Sequence, residues 1–81
     1  MEKNQYNKDG FREGYWEEYY DNGKLYSKGN YLNGKREGYW EEYHTNGKLW
    51  CKGNYINKKP VGYWEGYYSN GKIFLMLYIV V

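Results

Sequence analysis

The sequence predicts an all-β protein: a single-layer antiparallel β-meander of about six strands, built from three 24-residue hairpin repeats. The segment Gly14–Leu25 returns as Gly38–Leu49 and, with changes, as Gly62–Ile73. Each copy contains Asn-Gly, the dipeptide most typical of tight hairpin turns. The chain is 23% aromatic, with 13 tyrosines, and lacks alanine, so residues that favour strands dominate over helix formers.

The period also sets the domain organisation. Self-similarity at a fixed period is typical of an array in which each unit packs against its neighbours. We therefore expect one domain, residues 1–81, with repeats at about 10–33, 34–57 and 58–81. The first nine residues are polar and we expect them to be frayed, with Tyr6 the side chain there that can pack on the first strand.

A two-residue type I′ turn at each Asn-Gly predicts the register of the hairpins. In the first hairpin it pairs side chains of complementary charge or size: Glu17 with Lys28, Trp16 with Gly29 and Tyr19 with Tyr26. Cross-strand pairs of this kind each contribute roughly 0.2–1 kcal/mol. The second hairpin repeats the pattern, so a slip of one residue would lose every pair at once.

Alternation along each strand assigns the side chains to two faces. The expected packing face carries the tryptophans and the residues after each turn lysine: Trp16, Trp40, Trp64, Leu25, Leu49 and Ile73. The other face carries an aromatic ladder: Tyr15, Tyr19, Tyr26, Tyr39, Tyr43, Trp50, Tyr63, Tyr67 and Phe74. Polar links at 32–37 and 56–61 join the hairpins.

The last segment, residues 73–81, departs from the repeat. Apolar residues, among them Met76 and Tyr78, replace the polar ones of earlier units. Nine residues are about half of what a membrane-spanning helix requires, so we expect a strand. An apolar edge strand is a template for association. We expect either a second copy of the chain, giving a homodimer through this strand, or another protein to cover it.

Charge and cysteine content exclude several classes. Twelve basic and ten acidic side chains give a formal charge of +2 with the signs interleaved, which does not indicate a polyanion partner. The single cysteine, Cys51, excludes a disulfide scaffold, and residues 1–5 lack the apolar segment of a signal peptide. We expect a cytoplasmic location.

Catalytic, cofactor-binding and metal-binding patterns are not predicted. Glu17 and Glu41 could be proposed as an acid/base pair, but lysine partners would keep both ionised, so we interpret them as structural ion pairs. His44 replaces a tyrosine and has no second histidine with which to share a metal. Cys51 is placed opposite Glu42, as a half-buried thiol. The prediction is a non-enzyme without a cofactor.

The motif Gly-x-Trp-x-x-Tyr-Tyr-x-Asn-Gly-Lys-Leu, followed by Gly-Asn-Tyr, stands at 14–31, 38–55 and, in its first half, 62–73. This pattern resembles the MORN repeat family, and more closely its bacterial antitoxin-like variant, over residues 9–73. The resemblance implies a β-hairpin array that serves as a binding or scaffolding surface, with no catalytic residues to carry over. Phospholipid binding is implied for some members.

The predicted function is a non-enzymatic protein-interaction module with an antitoxin-like role, a scaffolding role, or the role of a phage or viral inhibitor of a host protein. The candidate partner-binding residues are the aromatic ladder listed above with Met76 and Tyr78 added. One alternative is peripheral membrane binding through the aromatics and the basic residues Lys35, Arg36, Lys58 and Lys59. A less favoured one is stacking of single-stranded nucleic acid, which the interspersed glutamates oppose.

Overall fold

A computed structural model describes residues 2–80. Within that range the chain forms one open antiparallel sheet whose seven strands follow chain order. The strands are β1 (Gln5–Tyr6), β2 (Arg12–Tyr19), β3 (Leu25–Leu32), β4 (Lys35–Tyr43), β5 (Leu49–Ile56), β6 (Lys59–Tyr67) and β7 (Ile73–Ile79). The predicted fold class is confirmed, with one strand beyond the six expected. The expectation for Val81 lies outside the described residues.

The additional strand β1 completes the first repeat. Tyr6 packs edge-on against Trp16, with 5.2 Å between ring centroids, as predicted. Beyond it, Asn4 has a φ of 60° and pairs through its side chain, not its backbone, with the backbone of Glu17. The Asn4 Nδ2 donates to the Glu17 carbonyl at 3.0 Å, and the Glu17 N–H donates to Asn4 Oδ1 at 2.8 Å. The Asn4 N–H also donates to the Tyr15 carbonyl at 2.9 Å, so Asn4 continues the pairing of β1 with β2 and its side chain covers the backbone groups of Glu17.

The Asn-Gly turns at 22–23, 46–47 and 70–71 are three-residue loops, so the prediction of two-residue turns there was wrong. In the first, the Tyr20 N–H donates to the Lys24 carbonyl at 2.8 Å and the Gly23 N–H to the Tyr20 carbonyl at 2.9 Å. Only Gly23 has a positive φ, of 85°. Asn22 instead uses its side-chain oxygen to accept the Lys24 N–H at 2.9 Å, which holds a type I turn.

Two-residue type I′ turns occur instead between the hairpins. Asn33-Gly34 has φ values of 53° and 85°, and Asn57-Lys58 has 51° and 76°. Leu32 accordingly lies opposite Lys35, and Ile56 opposite Lys59. The predicted links 32–37 and 56–61 shrink to two residues each, and their remaining residues belong to strands.

A bulge follows each three-residue loop and restores the predicted register. Tyr19 lies opposite Leu25, whereas Glu18 lies opposite Ser27, so Tyr26 is the extra residue of β3. From there the predicted pairs Glu17–Lys28 and Trp16–Gly29 are confirmed as facing residues. The same irregularity recurs in the second and third hairpins.

The bulge exchanges two side chains between the faces of the sheet, because residues directly opposite share a face. Leu25 lies on the side of Tyr19, while the ring of Tyr26 packs on Tyr20, on the side of Trp16, with 5.1 Å between centroids. The face predicted for the corresponding residues of all three repeats was therefore wrong: Tyr26, Trp50 and Phe74, and Leu25, Leu49 and Ile73.

The core lies on the face of Trp16, Trp40 and Trp64, which we call the tryptophan face. Trp40 is 1% exposed and Trp16 6%. Edge-to-face contacts with centroids 5.0–6.4 Å apart run across the sheet through Tyr6, Trp16, Tyr31, Trp40, Tyr55 and Trp64. The opposite side, which carries Tyr15, Tyr19, Tyr39, Tyr43, Tyr63 and Tyr67, we call the tyrosine face.

Trp40 and Trp64 each cover a glycine of the preceding repeat. The indole of Trp40 lies on Gly29, and that of Trp64 lies on Gly53, so closely that an added methyl group would overlap the ring. A positive φ of 78° at Gly38 and a register shift between Lys28 and Asn30 allow this approach. The expected cover of glycine by indole thus joins neighbouring repeats and does not lie within one hairpin.

Candidate binding surfaces

The tyrosine face consists of a cluster that occurs three times. In the first copy the hydroxyl of Tyr15 donates to Glu17 Oε2 at 2.8 Å, and the hydroxyl of Tyr19 donates to the other carboxylate oxygen. The spacing of two residues puts all three side chains on one side of the strand. The other copies have the same hydrogen bonds: Tyr39 and Tyr43 to Glu41, and Tyr63 and Tyr67 to Glu65.

A lysine from the strand before completes each cluster. Lys28 Nζ lies 3.4 Å from Glu41, and Lys52 Nζ lies 3.5 Å from Glu65. In the first cluster Lys3 takes this place, 2.7 Å from Glu17. Glu17 and Glu41 form structural ion pairs, as predicted, but their lysines precede the hairpin that holds each glutamate and do not come from within it.

The clusters fix the charges of their members. Hydrogen bonds from Lys3, and then from Tyr19 and Tyr15, lower the pKa of Glu17 from 4.5 to about 2. Burial, and then the bond to Glu17, raises the pKa of Tyr15 from 10.0 to about 12. The carboxylate is therefore ionised and the phenol neutral across the physiological range. Neither has the pKa near neutrality that a general acid or base requires.

The rings of this face are accessible although their hydroxyls are held. Tyr39 is 48% exposed and Tyr63 45%. A groove of about 320 Å³ runs between Tyr15 and Tyr39 over the backbone of Gly29, with Lys28, Asn30 and Glu41 also lining it. Aromatic rings around a concave site with a few polar groups are typical of binding surfaces.

On the tryptophan face two arginines stack on the indoles. The guanidinium of Arg12 lies 4.4 Å from the Trp16 ring and 3.2 Å from Glu18. Arg36 lies 4.1 Å from Trp40 and 3.2 Å from Glu42 in the same way. The prediction that Arg36 lies in the polar link 32–37 was wrong, because this residue is only partly exposed and belongs to β4. Arg12 and Arg36 are 24 residues apart, and this separation was the sequence signal that both have the same role in the repeat.

A second row of aromatic pairs lies near the hairpin tips on the tryptophan face. It consists of Tyr20 with Tyr26, His44 with Trp50 and Tyr68 with Phe74. His44 Nε2 lies 2.8 Å from the Tyr67 carbonyl. At the corresponding place in the first repeat, the Tyr20 hydroxyl donates to the Tyr43 carbonyl. The interpretation of His44 as a replacement of one ring by another is confirmed, with Nε2 carrying the proton.

Cys51 is a half-buried thiol next to Glu42, as predicted. Its Sγ–H donates to Glu42 Oε1 at 3.3 Å, as the Ser27 hydroxyl does to Glu18. Burial, and then the bond to Glu42, raises the pKa of the thiol to about 12, so it stays protonated and unreactive. Between residues 2 and 80, no three or more His, Cys, Asp or Glu side chains are grouped to hold a metal ion.

Three copies of one hairpin, joined by indole-on-glycine contacts and lysine–glutamate pairs, define a repeat that can be compared with known families. The model of the MORN repeat variant matches residues 12–33, 36–57 and 60–78, which is most of the chain. The protein belongs to this MORN repeat family. The three matched segments fall inside the predicted repeats. Comparison with curated proteins gave no match, and comparison with solved structures gave none either.

MORN repeats are in general non-catalytic modules that interact with proteins or membranes. The third MORN repeat of this chain differs from the others on both faces. Pro60 and Gly66 stand where the first two repeats hold the arginine and the glutamate of the tryptophan face. On the tyrosine face the predicted site residues Met76 and Tyr78 lie opposite Glu65 and Tyr63, at 67% and 70% exposure.

The candidate residues are therefore divided between two faces of the MORN sheet. Eight of them share the tyrosine face: Tyr15, Tyr19, Tyr39, Tyr43, Tyr63, Tyr67, Met76 and Tyr78. Tyr26, Trp50 and Phe74 lie on the tryptophan face because of the bulges. In the part of the chain that the structure covers, no helix is long and apolar enough to cross a membrane.

Proposed function

We propose that this MORN protein is a non-enzymatic, cytoplasmic interaction module that binds a protein partner through its tyrosine face. The observation that carries the proposal is the threefold Tyr–Glu–Tyr cluster. Each glutamate holds two phenols by their hydroxyls, so the rings are fixed before a partner arrives. Ordered aromatic rings lose little conformational entropy on binding, which is why they dominate interface hot spots.

The face is also electrically balanced. Each carboxylate of the three clusters lies within 3.5 Å of a lysine, so the surface has little net charge. It therefore suits a partner with apolar and hydrogen-bonding groups better than a polyanion. The groove between Tyr15 and Tyr39 offers a concavity for one partner side chain.

The test compares the two faces with matched variants. The double variant Tyr39→Ser, Tyr63→Ser removes two rings from the tyrosine face, which are 48% and 45% exposed. The double variant Trp50→Ser, Tyr68→Ser removes two rings from the tryptophan face, which are 40% and 58% exposed. Tagged protein is cross-linked in cells of the source organism, and the captured proteins are quantified by mass spectrometry. Circular dichroism checks the fold of each variant.

We expect the tyrosine-face variant to lose one captured protein by at least about tenfold, since each hot-spot ring contributes roughly 2 kcal/mol or more. The tryptophan-face variant should retain it. Equal capture by the wild type and the tyrosine-face variant would remove this face from the proposal.

The identity of the captured protein assigns the role. A toxin whose activity falls on binding would make the module an antitoxin. A host enzyme or host factor would indicate a phage or viral inhibitor, and an assembly of several proteins would indicate a scaffold. The family match supports a protein-interaction role in general. An activity assay with the purified pair distinguishes the antitoxin and inhibitor roles from a scaffold, which should leave the activity of its partners unchanged.

The end of the sheet that carries the type I′ turns supports membrane binding as a second candidate function. Leu32 and Ile56 are 57% and 58% exposed there, beside Lys35, Lys58 and Lys59. Apolar and basic side chains together are the features by which surface-bound proteins attach to anionic lipid. Co-sedimentation with phosphatidylserine vesicles at low salt should pellet the wild type but not the Leu32→Ser, Ile56→Ser variant. A wild type that stays in the supernatant rules out this function.

A further inference from the structure

Strand β7 is an exposed edge along its whole length. Met76 is 67% exposed and Tyr78 70%, and the neighbouring apolar residues of the strand are about half exposed. It contains no charged residue and no proline. Edge strands of soluble proteins usually carry charges, proline or bulges that prevent pairing with another chain. A bulge is present only at the start of β7, near Phe74.

Internal strands receive the next repeat through residues that β7 has lost. In β3, Lys28 pairs with Glu41 and Gly29 lies under Trp40. The corresponding residues of β7 are Met76 and Leu77. Leu77 fills the space that an incoming indole would need, and Met76 offers no ammonium group. Another repeat, from this chain or from a second copy, therefore cannot stack here in the way the internal repeats do.

We propose that β7 pairs antiparallel with β7 of a second copy and forms a closed, two-fold symmetric dimer. A two-fold axis at Leu77 gives three kinds of cross-strand pair: Leu77 with its own counterpart, Met76 with Tyr78, and Leu75 with Ile79. Each pair is apolar, and its members lie on the same face of the sheet. No like charges meet, and the bulge at Phe74 stays outside the pairing. An interface that is complementary to itself in this way closes at two copies.

The dimer would extend the sheet across both copies. Because directly opposite residues share a face, the two tyrosine faces lie on the same side. If the proposed function is right, the dimer presents two copies of the binding surface side by side, and a partner with two sites binds with increased avidity. The dimer itself does not depend on that function.

The test measures the mass of the full chain by sedimentation equilibrium over a range of concentrations. The wild type should be a dimer. Met76→Lys with Tyr78→Asn introduces the residues that the array itself carries at 28 and 30, so the fold should persist by circular dichroism. This variant should raise the dimer dissociation constant by at least about tenfold. The control Leu32→Lys with Ile56→Asn introduces the same two residue types next to the type I′ turns, away from β7, and should remain a dimer.

A second measurement tests the register. In a Cys51→Ser background, which has the serine found at position 27, Leu77→Cys should form an intermolecular disulfide on mild oxidation, since the paired Cα atoms would lie within about 4.4–6.8 Å. A monomeric wild type, a mass that grows beyond two copies, or a dimer unaffected by Met76→Lys with Tyr78→Asn would overturn the proposal. The test needs no partner, so its failure leaves the tyrosine-face proposal standing, and failure of that proposal leaves the dimer standing.

Discussion

At the scale of single residues, stability depends on two positions where an ordinary side chain has no room. Gly29 and Gly53 lie flat against the indoles of the following repeat. The sequence predicted that indole and glycine meet, but it placed both in one hairpin. The bulge created by Gly38 brings the next tryptophan over the glycine, and alternation along the strands does not predict a bulge.

Gly29→Ala should destabilise the protein by about 1–3 kcal/mol or more, because the methyl group overlaps the ring of a tryptophan that is only 1% exposed. The gain of about 0.5–1 kcal/mol that alanine brings over glycine within a strand is too small to compensate. Urea unfolding followed by tryptophan fluorescence measures the difference. Asn30→Ala, at the exposed neighbouring residue, should change the free energy of unfolding by less than about 0.5 kcal/mol. An equal effect of both variants would contradict the account.

The Tyr–Glu–Tyr clusters make stability depend on pH at both extremes. The pKa of Glu17 is about 2 in the folded chain against 4.5 for a free side chain, so the contribution of this carboxylate is full above pH 4.5 and is lost as the pH falls towards 2. The pKa of Tyr15 rises from 10.0 to about 12, so its contribution is full below pH 10 and is lost as the pH rises towards 12. The melting temperature should therefore be flat between about pH 5 and 9 and fall on both sides.

The acid limb is tested by removing one carboxylate. Glu41→Gln should lower the free energy of unfolding at pH 7 by about 1–3 kcal/mol, since it leaves two phenols and Lys28 without a charged acceptor. It should also flatten the decline of stability below pH 4.5. Glu2→Gln changes the net charge equally at an exposed terminal residue and should do neither. A wild type whose stability is constant from pH 5 to 2 would contradict the role of the clusters.

At the scale of elements, the turns show what the sequence could and could not specify. Asn-Gly predicted the three hairpins correctly, but the type I′ turn predicted at 22–23, 46–47 and 70–71 was wrong. Asn33-Gly34 forms the type I′ turn, whereas Asn22-Gly23 forms the end of a three-residue loop. In the three-residue loop the Asn22 side chain accepts the Lys24 N–H. Both local solutions suit the same dipeptide, and the register of the strands beyond decides between them.

The second type I′ turn contains a residue poorly suited to it. Lys58 has a φ of 76°, where glycine stands in the first such turn. Lys58→Gly should stabilise the protein by about 0.5–1 kcal/mol, because relief of about 1–2 kcal/mol of backbone strain exceeds the added entropy of the unfolded chain. Thermal unfolding measures the change. Lys59→Gly, at the adjacent strand residue, should destabilise by about 0.5–1 kcal/mol, and the reverse order of these two variants would contradict the assignment of the turn.

At the scale of the whole molecule, the 24-residue period was enough to predict the single sheet, its meander order and the tryptophan packing face. It was not enough to place Tyr26, Trp50 and Phe74, because one bulge residue per hairpin reverses the face that alternation assigns. The stacked arginines were also missed, since their separation of 24 residues indicates a shared role but does not indicate the ring that each one covers. The tyrosine face was predicted, but the hydrogen bonds that order it were not. They join tyrosines and a glutamate of the same strand, spaced two residues apart.

The repeat interfaces predict how the array tolerates growth. A tandem copy of residues 34–57 inserted after residue 57 would place Trp40 of the new unit on Gly53 of the old one, and Lys52 beside Glu41, as Trp64 and Glu65 are placed now. We expect a folded protein whose melting temperature rises by several degrees, because stability in such arrays adds by nearest-neighbour interfaces. The same 24 residues appended after residue 81 would meet Leu77 and should give no increase. Equal melting temperatures for the two insertions would contradict the directional packing.

The two edges of the sheet differ in whether their backbone groups are covered. At the first edge a strand of two residues ends at Asn4, whose amide side chain already occupies the backbone groups of Glu17. In the language of polymer chemistry, a building block with one covered and one open end couples once and stops. If β7 pairs as proposed, the dimer has only covered ends and does not grow into a fibre.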